Sequence, residues 1–194
     1  MLIENSFEVA ADPDRVFDFL QDANNVVTCM PGAELVEDLG DDSYAGKVKI
    51  KVGPVTAAYS GVAVITRRDP AERVAVLRAE GKDTKGNGSA KATATMRVTP
   101  VGTGAAVVRL STELSVSGKL AQFGRGVLAD VSNKMVGELA DRVRTAIEAA
   151  NRPETATPPP AAAHDKIKVS VIVWTVLAGI VRRLFTRLRG RPTT

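Results

Sequence analysis

The sequence predicts an α+β domain in which a curved, seven-stranded antiparallel sheet wraps around one long C-terminal helix, with a tethered amphipathic helix at the chain end. Three observations lead to this prediction. Seven alternating or apolar segments are separated by short turn signals, and consecutive strands joined by short turns pair antiparallel. After residue 118, a period of three to four residues replaces the alternation. An apolar, arginine-rich segment then follows a Pro- and Ala-rich stretch.

The first 31 residues predict one strand and two short helices. Leu2 to Val9 alternates between apolar and polar side chains, as a half-buried strand does. Asp12 is a candidate N-cap and Pro13 suits the first helical position, so a short helix opens there and runs through Leu20. Residues 24–31 predict a second short helix or a turn.

Six further strands follow, each ending at glycine, proline or aspartate turn signals. They cover residues 34–39, 44–52, 55–67, 73–82, 89–99 and 105–116. From Lys119 to about residue 150, apolar side chains recur every three or four positions, which predicts one amphipathic helix about 45 Å long. A sheet that closes on this helix is the simplest packed solution, the helix-grip or START-like arrangement.

Three strands indicate which face is turned to the helix. In strands 44–52, 89–99 and 105–116, even positions are mostly apolar or small, and the charged side chains point the other way. The inward sets are unusually rich in small residues, namely Gly46, Ala90, Ala92, Ala94 and Ala106. Two explanations stay open: a close approach of the helix, or a hollow between helix and sheet.

A hollow here would be lined almost wholly by apolar groups, with Tyr44, Tyr59 and Thr112 as polar contacts. Such a space suits a lipid-like or aromatic ligand. The candidate ligand-binding residues are Tyr44, Val48, Ile50, Tyr59, Ala92, Ala94, Met96, Leu110, Leu114, Phe123, Val127, Val131 and Met135.

Signals of catalysis and of metal binding are weak. The one histidine, His164, lies in the Pro-rich stretch, and no Ser/His/Asp set, HExxH motif or phosphate loop is present. A single cysteine, Cys29, excludes an internal disulfide and a cysteine-rich metal site, and fits a small buried hydrophobic residue. We expect no catalytic residue and no metal. Gly124-Arg125-Gly126 inside the long helix predicts either a kink or ligand mouth, or tight packing on a strand.

The positive charge is concentrated in the tail. Residues 151–194 hold eight Lys or Arg and two acidic residues, whereas the rest of the chain has a net charge of −2. Basic charge beside an apolar helix fits an anionic membrane surface better than nucleic acid. The start, MLIENSFEV, lacks a basic region followed by an apolar one, so we expect no secretory signal and a cytoplasmic body.

Three regions are predicted: a ligand-binding domain over 1–150, a flexible Pro/Ala-rich linker over 151–165, and a membrane-anchoring helix over 166–190. Thirteen uncharged residues, Val169 to Val181, make about 20 Å of helix, which is short for a hydrocarbon core of about 30 Å. Polar and apolar residues gather on opposite sides, as in a surface-lying helix. A short tilted or re-entrant span and a helix docked on a partner protein are the alternatives. The predicted membrane-binding residues are Trp174, Leu177, Val181, Arg182, Arg183, Leu184, Phe185, Arg187 and Leu188.

Three motifs resemble the CoxG family of carbon monoxide dehydrogenase proteins, within the START/SRPBCC superfamily. They are Met30–Glu34, Val52–Val55 leading to Tyr59–Gly61, and Gly118–Gly124. The likeness covers about residues 1–150. It implies a non-catalytic accessory protein that recruits a soluble molybdenum CO dehydrogenase, or a related hydroxylase, to the cytoplasmic side of the cell membrane as a peripheral protein.

The apolar hollow and the tethered tail together give a sharper hypothesis. The domain would take up an isoprenoid quinone, menaquinone, from the bilayer and present it to the enzyme, with Tyr44 or Tyr59 bonded to the ring. One alternative is a recruitment adaptor that carries no ligand. Another is a START-like cyclase or hydrolase acting on a lipid or aromatic substrate. The absence of a histidine or carboxylate on the inward faces of strands 44–52, 89–99 and 105–116 argues against this alternative.

Overall fold

The computed structural model describes residues 1–151, which form one seven-stranded antiparallel sheet with helices on its concave side. The elements are β1 (Leu2–Val9), α1 (Pro13–Gln21), α2 (Ala23–Cys29), β2 (Ala33–Gly40), β3 (Ser43–Val52), β4 (Val55–Asp69), β5 (Val74–Asp83), β6 (Ser89–Pro100), β7 (Ala106–Val116), a short 3-10 helix η1 (Gly118–Phe123) and α3 (Gly124–Asn151). The strand order is β1-β7-β6-β5-β4-β3-β2. The predicted fold class, with a long C-terminal helix after the sheet, is therefore confirmed.

Both short helices begin at an aspartate cap, and the cap of α1 is the predicted Asp12. The Asp12 carboxylate accepts hydrogen bonds from the backbone N–H groups of Asp14 (2.9 Å) and Arg15 (3.4 Å), which satisfies donors at the start of α1. Asp22 does the same for Asn24 at 2.8 Å and opens α2. α2 ends at Cys29, and Gly32, with φ +75°, turns the chain into β2.

The prediction of one continuous helix from Lys119 is wrong at its N-terminal end. Residues 118–123 form η1, and α3 begins only at Gly124, whose φ of +75° interrupts the helical path. A 3-10 turn repeats every three residues, so Leu120 and Phe123 fit both helix types and the sequence period does not distinguish them. α3 has 28 residues and is about 42 Å long.

Most of the buried apolar residues fall into two clusters, and Ile3, Val74 and Leu128 are buried outside both. The larger, here the main cluster, packs α1, α2 and the second half of α3 against β1, β6 and β7. Its buried members are Phe7, Val9, Ala11, Val16, Phe17, Leu20, Cys29, Val98, Ala106, Val108, Leu139, Ala140, Val143 and Ile147. Cys29 is 3% exposed within it, as expected of a small hydrophobic residue.

The second cluster lies at the opposite end of the sheet. Only four of its residues are buried: Val52, Ala57, Tyr59 and Leu120. It joins the β3–β4 hairpin to η1, so this end of the domain is held by a much smaller apolar contact than the other.

Within residues 1–151, no helix combines the length and apolar character needed to cross a membrane. The predicted membrane-binding residues, Trp174 to Leu188, lie outside the described residues, as does nearly all of the predicted linker. The three-region division of the chain stays a prediction.

Candidate functional site

The concave face of the sheet carries a band of small side chains across neighbouring strands. The pairing register aligns one row across β3 to β6, consisting of Gly46, Gly61, Gly81 and Ala90. The adjacent row runs from β3 to β7 and consists of Tyr44, Ala63, Ala79, Ala92 and Leu114. Neither row carries a charged side chain, so this part of the sheet is apolar and has little side-chain bulk.

Gly61 marks a close approach between β4 and β5. A β-carbon at Gly61 would collide with the carbonyl oxygen of Glu80 and lie 2.6 Å from the Cα of Gly81. Only glycine fits such a backbone contact, and glycine in a strand interior commonly accompanies a bend. Gly61 therefore allows β4 and β5 to approach more closely than a residue with a β-carbon would permit.

The long helix leaves the middle of this face uncovered. α3 approaches β1 and β3 most closely, and over the central strands it packs at the two clusters, through Val131 at one and Val136 at the other. Leu77, at the centre of the concave face, is 36% exposed, and Val127 on the first turns of α3 is 40% exposed. The band between the two clusters is thus an open trough. Its sheet residues are Tyr44, Ala63, Ile65, Leu77, Ala79, Ala92, Ala94, Thr112 and Leu114.

Ala92 and Ala94 distinguish the two explanations of the small inward residues. Both side chains are half-buried, whereas a helix packed closely on the sheet would bury them as it buries Ala106, which is 0% exposed. At Ala92 and Ala94, therefore, the small side chains border a space that α3 does not fill. The trough is open to solvent, in contrast to the internal cavity that the sequence predicts.

The thirteen predicted ligand-binding residues occupy three environments. Five belong to or pack against the second cluster: Val48, Ile50, Tyr59, Phe123 and Val131. Met96 and Leu110 pack against the main cluster. The others lie between the clusters as half-buried or exposed residues: Tyr44, Ala92, Ala94, Leu114, Val127 and Met135. The structure thus gathers four of them on the sheet side of the trough and places most of the rest at its two margins.

Tyr59 is the polar group best placed at a margin of the trough. The residue is 6% exposed, and its hydroxyl forms no hydrogen bond with another group of residues 1–151. Because this oxygen is not among the fully buried unpaired polar atoms, it reaches the surface of the domain, where a ligand could meet it. Burial, and secondarily the nearby Asp83 carboxylate, raises the pKa of Tyr59, so the phenol stays protonated and can donate a hydrogen bond at neutral pH.

A second polar group, not predicted from the sequence, joins β1 to α3. The Asn5 amide donates to Asn133 Oδ1 at 2.5 Å, and the Ser132 hydroxyl donates to Asn5 Oδ1 at 3.0 Å. Asn5 lies on the concave face opposite Leu110. An Asn within an alternating strand, at a position that faces inward, was the available signal.

The glycines around Arg125 do not pack on a strand. A β-carbon at Gly124 or Gly126 would meet no atom within 4 Å. Tight packing is therefore wrong as the explanation of Gly124-Arg125-Gly126. Gly124 supplies the left-handed backbone between η1 and α3, and the first turn of α3 has open space beside it.

Two pockets have mixed polar and apolar linings. One, of about 580 Å³, lies between α2, the start of β2 and α3, with Asn24, Thr28, Glu34 and Arg142 among its lining residues. The other, of about 610 Å³, is lined by Arg78, Glu80, Lys91 and Glu113 of the convex face and also by Ala79, Ala92 and Leu114 of the trough. Residues 1–151 bring together no group of three or more His, Cys, Asp or Glu able to hold a metal ion.

Comparison with solved structures gives the fold. A conserved protein from Geobacillus kaustophilus matches with a TM-score of 0.70 and 21% identity, over 77% of this chain and 97% of that one. The ZhuI aromatase/cyclase from Streptomyces sp. R1128 matches with a TM-score of 0.58 and 16% identity, over 81% and 99%. A START superfamily protein from Mycobacterium smegmatis matches with a TM-score of 0.53 and 12% identity, over 77% and 98%. At these identities the likeness shows a common fold and nothing about activity.

The sequence comparisons give the family. No curated protein matches the chain. The model of the carbon monoxide dehydrogenase CoxG family matches residues 6–148, which include part of β1, all six later strands and nearly the whole of α3. The chain therefore belongs to the CoxG family of carbon monoxide dehydrogenase proteins, with the START/SRPBCC fold.

Proposed function

We propose that this protein is a non-catalytic accessory protein of a molybdenum CO dehydrogenase that carries an apolar, lipid-like ligand in the trough. The ligand we favour is an isoprenoid quinone, menaquinone, which would accept electrons from the enzyme. The tail, residues 166–190, would hold the protein and its enzyme at the cytoplasmic side of the membrane. The single observation that carries the ligand proposal is the uncovered apolar band between the two clusters.

The shape and chemistry of the trough support a long apolar ligand. A polyprenyl chain is flexible, narrow and uncharged, and it gains stability by leaving water in proportion to the apolar area that it buries. The sheet side of the trough consists of residues from five strands, none of them charged, and its hydroxyl groups are those of Tyr44 and the half-buried Thr112. Exposed apolar area of this kind in a soluble domain commonly marks a binding site.

The unpaired Tyr59 hydroxyl supports a ligand with a carbonyl oxygen. A quinone carbonyl accepts one hydrogen bond readily, and a protonated phenol supplies one. Because Tyr59 belongs to the second cluster and stands beside Gly81, its ring borders the trough. A quinone head there would leave its chain free to lie along the alanines towards the main cluster.

The first experiment identifies what the protein carries. The full chain, purified without detergent, is extracted with organic solvent and the extract is analysed by mass spectrometry. We expect a substoichiometric to stoichiometric amount of isoprenoid quinone. A protein that is consistently free of lipid, and that does not take up menaquinone from vesicles, would rule out the carrier and leave the adaptor without a ligand.

A pair of variants then assigns the site. Tyr59→Phe removes only the hydroxyl, so we expect the stability of the domain to change by less than about 0.5 kcal/mol while quinone retention falls roughly fivefold to tenfold, as for one lost hydrogen bond. Tyr44→Phe is the matched control, because Tyr44 is the other tyrosine and lies in the trough on the neighbouring strand, four residues from the position that pairs with Tyr59. An equal loss with both variants, or with neither, would contradict the assignment to Tyr59.

A further inference from the structure

The two ends of the sheet differ in charge. One, here the basic end, contains the β3–β4 hairpin, the β5–β6 loop and η1; the acidic end contains α1, α2 and the other strand connections. The basic end comprises residues 49–56, 82–89 and 115–126, with six Lys or Arg and one acidic residue, a net charge of +5. The acidic end comprises residues 10–24, 38–43, 67–74, 97–106 and 141–151, with eleven acidic and seven basic residues, a net charge of −4.

Most cations at the acidic end are held in ion pairs. Arg73 contacts Asp14 at 2.8 Å, and Arg68 contacts Asp42 at 2.9 Å. Arg67 contacts Asp69 at 2.8 Å, within one strand end. The charges of these three arginines are therefore largely neutralised by carboxylates of the same domain.

Cations at the basic end have no such partners. No carboxylate of residues 1–151 forms an ion pair with any of the six, namely Lys49, Lys51, Lys82, Lys85, Lys119 and Arg125. The one acid there, Asp83, is already used: its carboxylate accepts hydrogen bonds from the backbone N–H groups of Lys85 (3.1 Å) and Asn87 (3.2 Å). The positive field of this end is therefore directed outward.

Apolar groups accompany these cations. Pro54 is exposed at the tip of the β3–β4 hairpin, and Val127 is 40% exposed just beyond Arg125. Five of the six cations are lysines, whose flexible point charges suit a diffuse anionic surface better than the bidentate recognition of one carboxylate. Unpaired lysines around small apolar contacts are the features that favour an interface of anionic lipid headgroups.

We infer that the basic end of the domain itself docks on an anionic bilayer surface, separately from the tail. This inference rests on the proposed function, because it brings the smaller apolar cluster and the trough beside the lipid from which a ligand would be taken. Each cation near such a surface strengthens binding about fivefold.

The direction of α3 makes the length of the linker relevant. α3 begins at the basic end and its last turns pack in the main cluster at the acidic end, about 42 Å away. The chain therefore leaves the folded domain at the end opposite to the docking surface. Fourteen residues of the predicted linker follow α3, at positions 152–165, and they would span about 43 Å if fully extended as polyproline. This reach is about the length of α3.

A pair of fluorescent labels tests the orientation in the full chain. The labels are attached to Pro54→Cys at the basic end and, as the matched position, to Thr103→Cys in the exposed β6–β7 turn at the acidic end; Cys29 is buried and stays unlabelled. Quinone-free vesicles of phosphatidylcholine and phosphatidylglycerol in equal parts contain a nitroxide-labelled phosphatidylcholine as quencher. We expect quenching at position 54 and none at position 103, and much weaker quenching at position 54 with vesicles of phosphatidylcholine alone.

Charge-matched variants then test the cause. Lys51→Gln with Lys119→Gln should lower the docking equilibrium constant about 25-fold, from the fivefold effect of each cation. Arg78→Gln with Arg142→Gln removes the same charge away from this end and should change it less than about twofold.

Three results would overturn the inference: binding of the protein to vesicles with neither label quenched, equal quenching of both labels, or a fluorescence change at position 54 on addition of CO dehydrogenase but not on addition of vesicles. The last would assign the basic end to an acidic protein surface. The vesicles contain no quinone, so this assay measures docking independently of the ligand. If the protein docks but never carries lipid, the quinone proposal fails and the docking inference holds.

Discussion

Filling the trough with a large side chain should stabilise the domain and abolish ligand binding. In Ala92→Phe, the ring adds on the order of 100 Å² of apolar surface over a half-buried position between Ala79 and Leu114. If about half of that area leaves water, the gain at 25 cal/mol per Å² is about 1 kcal/mol. The higher strand propensity of phenylalanine acts in the same direction. Chemical denaturation of the full chain measures the stability, and mass spectrometry of the extract measures the retained lipid.

A matched variant shows what the same change does in a filled core. Ala106 also faces the helix side of the sheet, but it is 0% exposed within the main cluster. There, Ala106→Phe has no space to enter and should destabilise the domain by about 3 kcal/mol or more. Comparable destabilisation by Ala92→Phe, about 1–3 kcal/mol, would mean that the trough is packed solidly, and the argument for a ligand there would fail.

Three other changes test the physical basis of the fold, and a fourth tests the core. Gly61→Val should prevent stable folding or cost more than about 3 kcal/mol, because its side chain meets the backbone of β5; an unchanged denaturation midpoint would refute the close approach. Gly137→Ala, in an open stretch of α3, should raise stability by about 1 kcal/mol in the same assay, and a loss would reveal a hidden contact. The hydrogen bond from the backbone N–H of Lys85 is the main cause that holds the pKa of Asp83 below its usual range. The ionised Asp83 carboxylate therefore stabilises the fold above the ordinary carboxylate pKa, and this stabilisation is lost as the pH falls through the lowered pKa. Acid titration of Asp83→Asn should show a shallower loss of stability, and an unaltered profile would contradict the cap. Phe17→Ala should cost about 3–5 kcal/mol by denaturation, and a cost below about 1 kcal/mol would show that Phe17 is not a core residue.

The strands whose two faces differ clearly could be predicted from the sequence. β3, β6 and β7 alternate lysines, arginines or threonines with apolar residues, so their inward sets follow from a period of two. β4 could not be assigned in this way. Its pairing with β5 shifts between Ile65 and Arg67, and Val62 and Val64 make its convex face apolar as well. Small residues of the band on β4 and β5, including Gly61 and Gly81, were missed for this reason.

Long-range packing explains the remaining differences between the structure and what the sequence predicts. The period of Leu120 and Phe123 did not separate a 3-10 turn from an α-helix, and the positive φ of Gly124 arises where the chain turns from η1 into α3. The openness of the trough depends on where α3 lies over the sheet. That position is fixed by main-cluster contacts such as Val143 and Ile147 and by the Asn5 group, none of which adjoin the alanines in sequence.

The glycine row has a consequence for how such a domain can diversify. Because Gly61 allows the close approach of β4 and β5 without contributing bulk, the spacing of these strands and the chemistry of the trough surface are set by different residues. Exchanges at Ala79, Ala92 or Ala94 can therefore resize the trough while that close approach stays intact. A new cargo could be accommodated in this scaffold by a few substitutions, with no rebuilding of its architecture.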